Sequence, residues 1–242
     1  AARHAPLAIA RALRGVEIDL PALQIARTRL AAVLGGGAAV QRALRANLRC
    51  ADAVRVPESW LRCDVVVANP PFLGQLKRGT AIDRAAAARW RARLGDAVKG
   101  YADPAAAFLL LSVRASRSGG RVCIVLPRSM LAAASAEPVR EAANEIAQLE
   151  AVWMDDRFAF DAGTRVCVLT LARHAARRTE ARPLRVHGEI DTELPWPIWK
   201  GRWTAAAAAS AGVPALEVRA SGVIGRSEEH TSELQSPYVI SY

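Results

Sequence analysis

Lysine is nearly absent from this chain: Lys77, Lys99 and Lys200 are the only lysines among 33 basic residues. The others are arginines set among many alanines, the composition that GC-rich coding spreads through a whole protein. The formal net charge of +10 therefore points only weakly to a polyanionic partner. Long apolar runs are also lacking. None approaches the ~20 residues of a membrane span, and no charged-then-apolar leader opens the chain. The expectation is a soluble protein of a bacterial-type cytoplasm, with no membrane partner. Metal-ligand spacing is missing too. Cys50, Cys63, Cys123 and Cys167 lie far apart in strand-like apolar segments, which excludes a zinc knuckle or a disulfide framework and predicts buried, reduced thiols. There are no internal repeats. The first residues are Ala1-Ala2-Arg3-His4 rather than Met, so a native start further upstream is expected.

What is present centres on Val65-Val66-Val67-Ala68-Asn69-Pro70-Pro71-Phe72. Uncharged β-branched residues in a row predict a strand buried on both faces of a parallel sheet. The two prolines fix φ and remove two backbone donors, so the strand must stop. Asn69, preceding proline, is biased away from the helical region. A rigid turn results at the carboxyl end of a strand, where open α/β sheets place their ligands. It would hold an amide beside an aromatic plate. Such a pair suits transfer to an exocyclic amine, whose lone pair is delocalised into its ring. The Asn69 amide oxygen and the Pro70 carbonyl can accept the two N–H bonds and favour a pyramidal nitrogen. Phe72 would stack on a base taken out of its duplex. The alternative is a strand capped by Pro-Pro, with Asn69 serving only the turn.

VVVANPPF resembles the fourth motif of the amino-group (N6-adenine) DNA methyltransferases, which use S-adenosylmethionine. The likeness extends over about residues 3–172. Residues 3–13 read as a helix, 15–19 as a short strand ending in acids, and 22–34 as a helix entered at Pro21. Gly15-Val16-Glu17-Ile18-Asp19 and the helix after it look like the second motif, which implies that Glu17 binds the cofactor ribose and Ile18 lies against its adenine. The alternative is Asp19 capping the next helix. Gly35-Gly36-Gly37 follows a helix and precedes no strand–helix unit, so it reads as a helix stop and not a phosphate loop. A third strand is expected at about 46–50. Asp52 just beyond it matches the third motif, where an acid accepts from the cofactor adenine's amino group.

After the central turn, Lys77 and Arg78 in a basic loop are the best candidates for DNA phosphate contact. Thr80 can cap a helix over 81–97, whose Arg84, Arg89, Arg91 and Arg93 are expected on the solvent side. Asp103-Pro104 starts a further helix ending at Ser118-Gly119-Gly120, followed by a strand at 121–126; both resemble the fifth and sixth motifs. Pro138 begins a helix to about Gln148. Strands at 149–154 and 165–171 should form the hairpin that closes the methyltransferase sheet. The loop between them resembles the eighth motif, which implies that Phe160, or alternatively Phe158, packs on the flipped base opposite Phe72. Segment 183–190 reads as one more strand. The Trp-rich 195–203 reads as a connector packed on the domain, its tryptophans alternatively stacking on bases.

The resemblance implies a Rossmann-like, class I S-adenosylmethionine-dependent α/β fold, its sheet mostly parallel and closed by an antiparallel hairpin. The family's first motif, an acidic-Pro-x-x-Gly-x-Gly loop after the first strand, does not occur in the sequence, so that strand is expected to be missing. Three segments are expected: the catalytic domain at 1–175, a connector or start of a target-recognition region at 176–225, and a tail at 226–242. RSEEHTSELQS, opening that tail at Arg226, resembles a translated sequencing-library adapter and is expected to be non-native. The implied partners are double-stranded DNA and a specificity or restriction subunit, in restriction–modification or phage defence. Methyl transfer to RNA guanine or to a protein glutamine amide follows the same lone-pair logic. A non-catalytic nucleic-acid-binding remnant is the reading from another class. A nicotinamide-dependent dehydrogenase would match Glu17 but leaves Pro-Pro-Phe unexplained.

Overall fold

The computed structural model describes residues 5–71, 84–98, 104–131, 133–154, 166–175, 184–187, 192–194 and 240–241. The order of elements begins α1(Pro6–Ala12), β1(Gly15–Glu17), α2(Leu20–Val33), α3(Ala38–Asn47), β2(Leu48–Cys50), α4(Glu58–Leu61) and β3(Cys63–Ala68). It continues α5(Arg84–Leu94), α6(Pro104–Ala115), β4(Ser116–Pro127), α7(Glu137–Ile146), β5(Ala147–Met154) and β6(Val166–Arg173). Short strands β7(Leu184–His187), β8(Thr192–Leu194) and β9(Ile240–Ser241) complete the described elements.

Alternating α and β elements produce a mixed sheet of order β8-β7-β5-β6-β4-β3-β9 beside a two-stranded sheet of β1 and β2. β1 runs parallel to β2, and β3 parallel to β4. β6 lies between β4 and β5, antiparallel to both, which is the closing hairpin expected from the sequence. β7 adds in parallel to β5. Ile240 and Ser241 lie antiparallel to Val67 and Val66 at the other edge.

Two apolar clusters hold the elements. The larger joins Val66 and Ala68 of β3, Val122, Ile124 and Leu126 of β4, and nearly all of α6. A helix reading PAAAFLLLSVRA is apolar on every side, so it can be stable only when enclosed. Val16 of β1 belongs to this same cluster, so both sheets share one core. The smaller cluster packs α1, α2 and α3 together through Ala10, Leu13, Leu23, Val40 and Leu44.

Two expectations are corrected. Strand character at 46–47 gives way to helix: α3 runs to Asn47 because Val40 and Leu44, four apart, face the same cluster. Asn47 then donates from Nδ2 to the Ala10 and Arg11 carbonyls (3.1 and 3.0 Å), tying α3 to the end of α1. The Gly119-Gly120 stop is a bulge inside β4. The pairing passes from Cys63–Ser116 to Val65–Arg121, and Gly119 takes up the surplus residues at φ 77°. The helix stop at the other glycine cluster is observed, with Gly35 and Gly36 at φ 81° and 70° and Gly36 N–H donating to Ala31 at 2.7 Å.

Many arginines serve the fold rather than a polyanion. Arg173 donates to the Val113, Arg114 and Ser116 carbonyls at the end of α6. Arg114 does the same for Arg93 and Leu94 at the end of α5 (3.0 and 3.1 Å). Arg27 reaches the Arg45 and Leu48 carbonyls. Each guanidinium satisfies helix-terminal acceptors that lack partners within their own helix.

Cys63 and Cys167 are buried as expected, whereas Cys50 is exposed. Burial pushes the Cys167 thiol up to about 12, only partly offset by Arg128, from an ordinary value of 9.0. A thiol raised by folding stabilises the native state fully below its unfolded value and loses that contribution as pH rises toward the folded one. Between pH 8 and pH 10 the chain should therefore lose roughly 1 kcal/mol that Cys167→Ala does not lose. Urea denaturation of both proteins at the two pH values measures the difference.

Candidate cofactor and target-base site

Glu17 ends β1 and is only 2% exposed. Its Oε1 accepts from the Asp19 backbone N–H at 2.8 Å, whereas its buried Oε2 has no hydrogen-bond partner among the described residues. Asp19 instead caps α2, accepting from Ala22 N–H at 2.8 Å. Of the two readings of this acidic pair, the cap at Asp19 is observed. A carboxylate oxygen buried without a donor is costly unless a ligand supplies one. Between them Ile18 stands 67% exposed, an apolar side chain just past the strand end.

Parallel pairing brings Asp52 to the same edge. Glu17 is the register partner of Cys50, and Ala51 N–H donates to the Glu17 carbonyl at 2.9 Å. Asp52 follows directly and is half-buried. Its Oδ1 accepts from Val54 N–H at 3.0 Å, which caps the 3₁₀ turn Ala53–Arg55. Its Oδ2 faces Arg55 and Arg89 guanidinium nitrogens at 3.8 and 4.0 Å, within ion-pair range and beyond hydrogen-bonding range.

Asn69 follows the last residue of β3, half-buried, with Pro70 buried beside it. The Asn69 amide makes no hydrogen bond among the described residues. Phe72, Lys77, Arg78, Phe158 and Phe160 lie outside the described residues, as do Thr80, Asp103 and Trp196, Trp199 and Trp203.

Sequence reasoning misplaced two arginines of α5. Arg89 and Arg93 are turned inward, with side chains 38% and 20% exposed. Arg93 donates to the Val56 carbonyl at 2.8 Å and pairs with Glu58 at 3.8 Å, while Arg89 faces Asp52. Helical spacing held the signal, since positions 89 and 93 share a face with Trp90 nearby, whose ring meets Phe108 edge-on at 5.1 Å. A run of arginines among alanines concealed it.

The family model for N-6 DNA methylases matches residues 14–184. The chain belongs to the N-6 DNA methylase family. No curated protein matches its sequence. Among solved structures, the type IIG restriction endonuclease BpuSI is similar at a TM-score of 0.51 and 12% identity, over 76% of this chain and 26% of that one. The M protein of the type I restriction enzyme EcoKI is similar at 0.47 and 13%, over 72% and 34%. A protein from Listeria monocytogenes, described as a class I S-adenosylmethionine-dependent methyltransferase, is similar at 0.45 and 17%, over 71% and 48%. This N-6 DNA methylase chain therefore spans between about a quarter and a half of those proteins. Its fold is the Rossmann-like class I fold, and no helix among the described residues is long and apolar enough to cross a membrane.

Proposed function

We propose that this chain is the catalytic part of a site-specific DNA methyltransferase that transfers a methyl group from S-adenosylmethionine to the N6 amine of an adenine flipped out of double-stranded DNA. The observation that carries the reading is Asn69: a half-buried amide with no bond of its own among the described residues, held at a strand's carboxyl end by two prolines.

S-adenosylmethionine supplies an electrophilic methyl group when bound. Glu17 Oε2 accepts from ribose hydroxyls, for which it has the burial and the vacant lone pairs. Ile18 would pack on the cofactor's adenine, and Asp52 Oδ2 would accept from its amine. On the target side, the Asn69 amide oxygen and the Pro70 carbonyl accept the two N–H bonds of the target amine. These acceptors would favour a pyramidal nitrogen with its lone pair free to form the N–C bond as the methyl–sulfur bond breaks, S-adenosylhomocysteine leaving and one N–H proton passing to solvent. Phe72 and Phe160 hold the base by stacking on its two faces, and Lys77 and Arg78 contact DNA phosphates. The setting we propose is restriction–modification or phage defence, with a specificity or restriction subunit as partner.

The test is transfer of labelled methyl from S-adenosylmethionine to DNA by a protein whose natural frame supplies an acidic-Pro-x-x-Gly-x-Gly loop, followed by Asn69→Ala. Label on RNA guanine or on a protein glutamine would move the substrate to those classes. A protein whose DNA affinity is its sole activity, indifferent to Asn69, would be a binding module. The 242-residue chain has no such loop in its sequence. By itself it is expected to bind S-adenosylmethionine weakly and transfer nothing. Calorimetric titration showing micromolar affinity for residues 1–225 would refute that.

A further inference from the structure

We infer that Arg89 is a positioning residue, which orients the Asp52 carboxylate toward the cofactor's adenine from the helix that follows the catalytic turn. The inference rests on the reading of Asp52 as an adenine acceptor and adds a residue to it.

A carboxylate can select an amino group only if one oxygen is fixed in place and kept free of competing hydrogen bonds. Val54 N–H holds Oδ1 at 3.0 Å and so sets one end of the carboxylate. Two guanidinium groups face Oδ2, but at 3.8 Å (Arg55) and 4.0 Å (Arg89) they attract it without occupying its lone pairs. A neutral N–H donor can therefore approach Oδ2 without displacing either arginine. The two cations differ in kind. Arg55 is three residues from Asp52 and largely exposed at 66%, so water screens it. Arg89 comes from a different element, and its Nε is buried without a hydrogen-bond partner among the described residues. Its attraction to Oδ2 is less screened, and its place is held by neighbours on the same helix. Arg93 bonds the Val56 carbonyl, and Trp90 meets Phe108 of α6. The segment 52–58 is thus clamped to α5 at Asp52, Val56 and Glu58.

Ligand-observed NMR titrations of the 242-residue chain with adenosine and with purine riboside, which lacks only the 6-amino group, test this. The wild type should prefer adenosine about tenfold, the worth of one good hydrogen bond. Asp52→Ala, which removes the acceptor, sets the floor of that preference. Arg89→Met should cut the preference roughly three- to fivefold while leaving purine riboside affinity unchanged, and Arg89→Lys should restore part of it. Far-UV circular dichroism checks folding, with Arg89→Gln replacing the Met variant if that one fails to fold. No adenosine preference in the wild type would overturn the reading of Asp52 and this inference with it. A preference lost in Asp52→Ala but intact in Arg89→Met would leave the reading standing and overturn the inference alone. Equal weakening of both ligands in Arg89→Met would make Arg89 a structural residue, and overturn it as well.

Discussion

In a protein that carries the complete cofactor loop, Asn69→Ala is expected to lower kcat for methyl transfer by roughly 10³-fold, with DNA affinity changed by about twofold or less. The size follows from what the side chain is proposed to do. A ring-conjugated amine is a poor nucleophile until its N–H bonds are drawn out of the ring plane, and the Asn69 oxygen is one of the two acceptors at the turn. That contact strengthens as positive charge develops on nitrogen, so its loss raises the barrier far more than it weakens ground-state binding. Substituting Asp, which keeps an acceptor oxygen, should retain measurable activity where Ala retains almost none. The Ala variant should fold normally, because the Asn69 amide bonds to nothing else among the described residues. A radiolabel assay with a parallel DNA-binding titration reads both quantities. Unchanged kcat in Asn69→Ala would remove the turn from the chemistry altogether.

The largest stability effect is expected at Arg140. It is 1% exposed, and its Nη1 donates to the Met130 carbonyl at 3.1 Å and the Ala133 carbonyl at 2.9 Å. These acceptors lie in the 3₁₀ turns joining β4 to α7, where the Ala133 carbonyl also accepts from Ala136 N–H at 3.1 Å. Arg140→Met keeps most of the apolar stem but removes the guanidinium donor from the Met130 carbonyl and one of two donors from the Ala133 carbonyl, at a cost of about 2 kcal/mol. Arg140→Lys should recover part of it, since both bonds come from Nη1 alone and an ammonium can donate to two carbonyls, though on a shorter reach. Equilibrium urea unfolding followed by circular dichroism gives the difference. A loss under about 1 kcal/mol would mean that the stretch 128–136 repacks around water.

Legibility from sequence followed how local each cause was. The β3 strand, its stop at Asn69-Pro70-Pro71 and the helix start at Pro104 were readable because β-branching and proline chemistry act within a few residues, whereas Val67, expected to be buried on both faces of the sheet, is 40% exposed. Asp19 was legible as a cap for the same reason. Gly119-Gly120 was misread as a stop because a positive φ suits a bulge equally well, and the choice depends on the neighbouring β3 strand. α3 was underestimated because the anchoring contacts of Val40 and Leu44 are with other helices. Arg89 and Arg93 were assigned to solvent because guanidinium groups look alike in a sequence whichever way they point.

The sequence by itself determined the family, the alternation of helices and strands, and the chemistry available at Asn69, Glu17 and Asp52, since these rest on residue types and short spacings. Tertiary structure alone decided that Glu17 keeps an oxygen without a donor while Asp19 does the capping. It also decided that β6 inserts between β4 and β5, and that arginines turn to helix ends and to Asp52. Those outcomes depend on which backbone carbonyls and carboxylates remain unsatisfied once the chain has packed, and no local pattern records that.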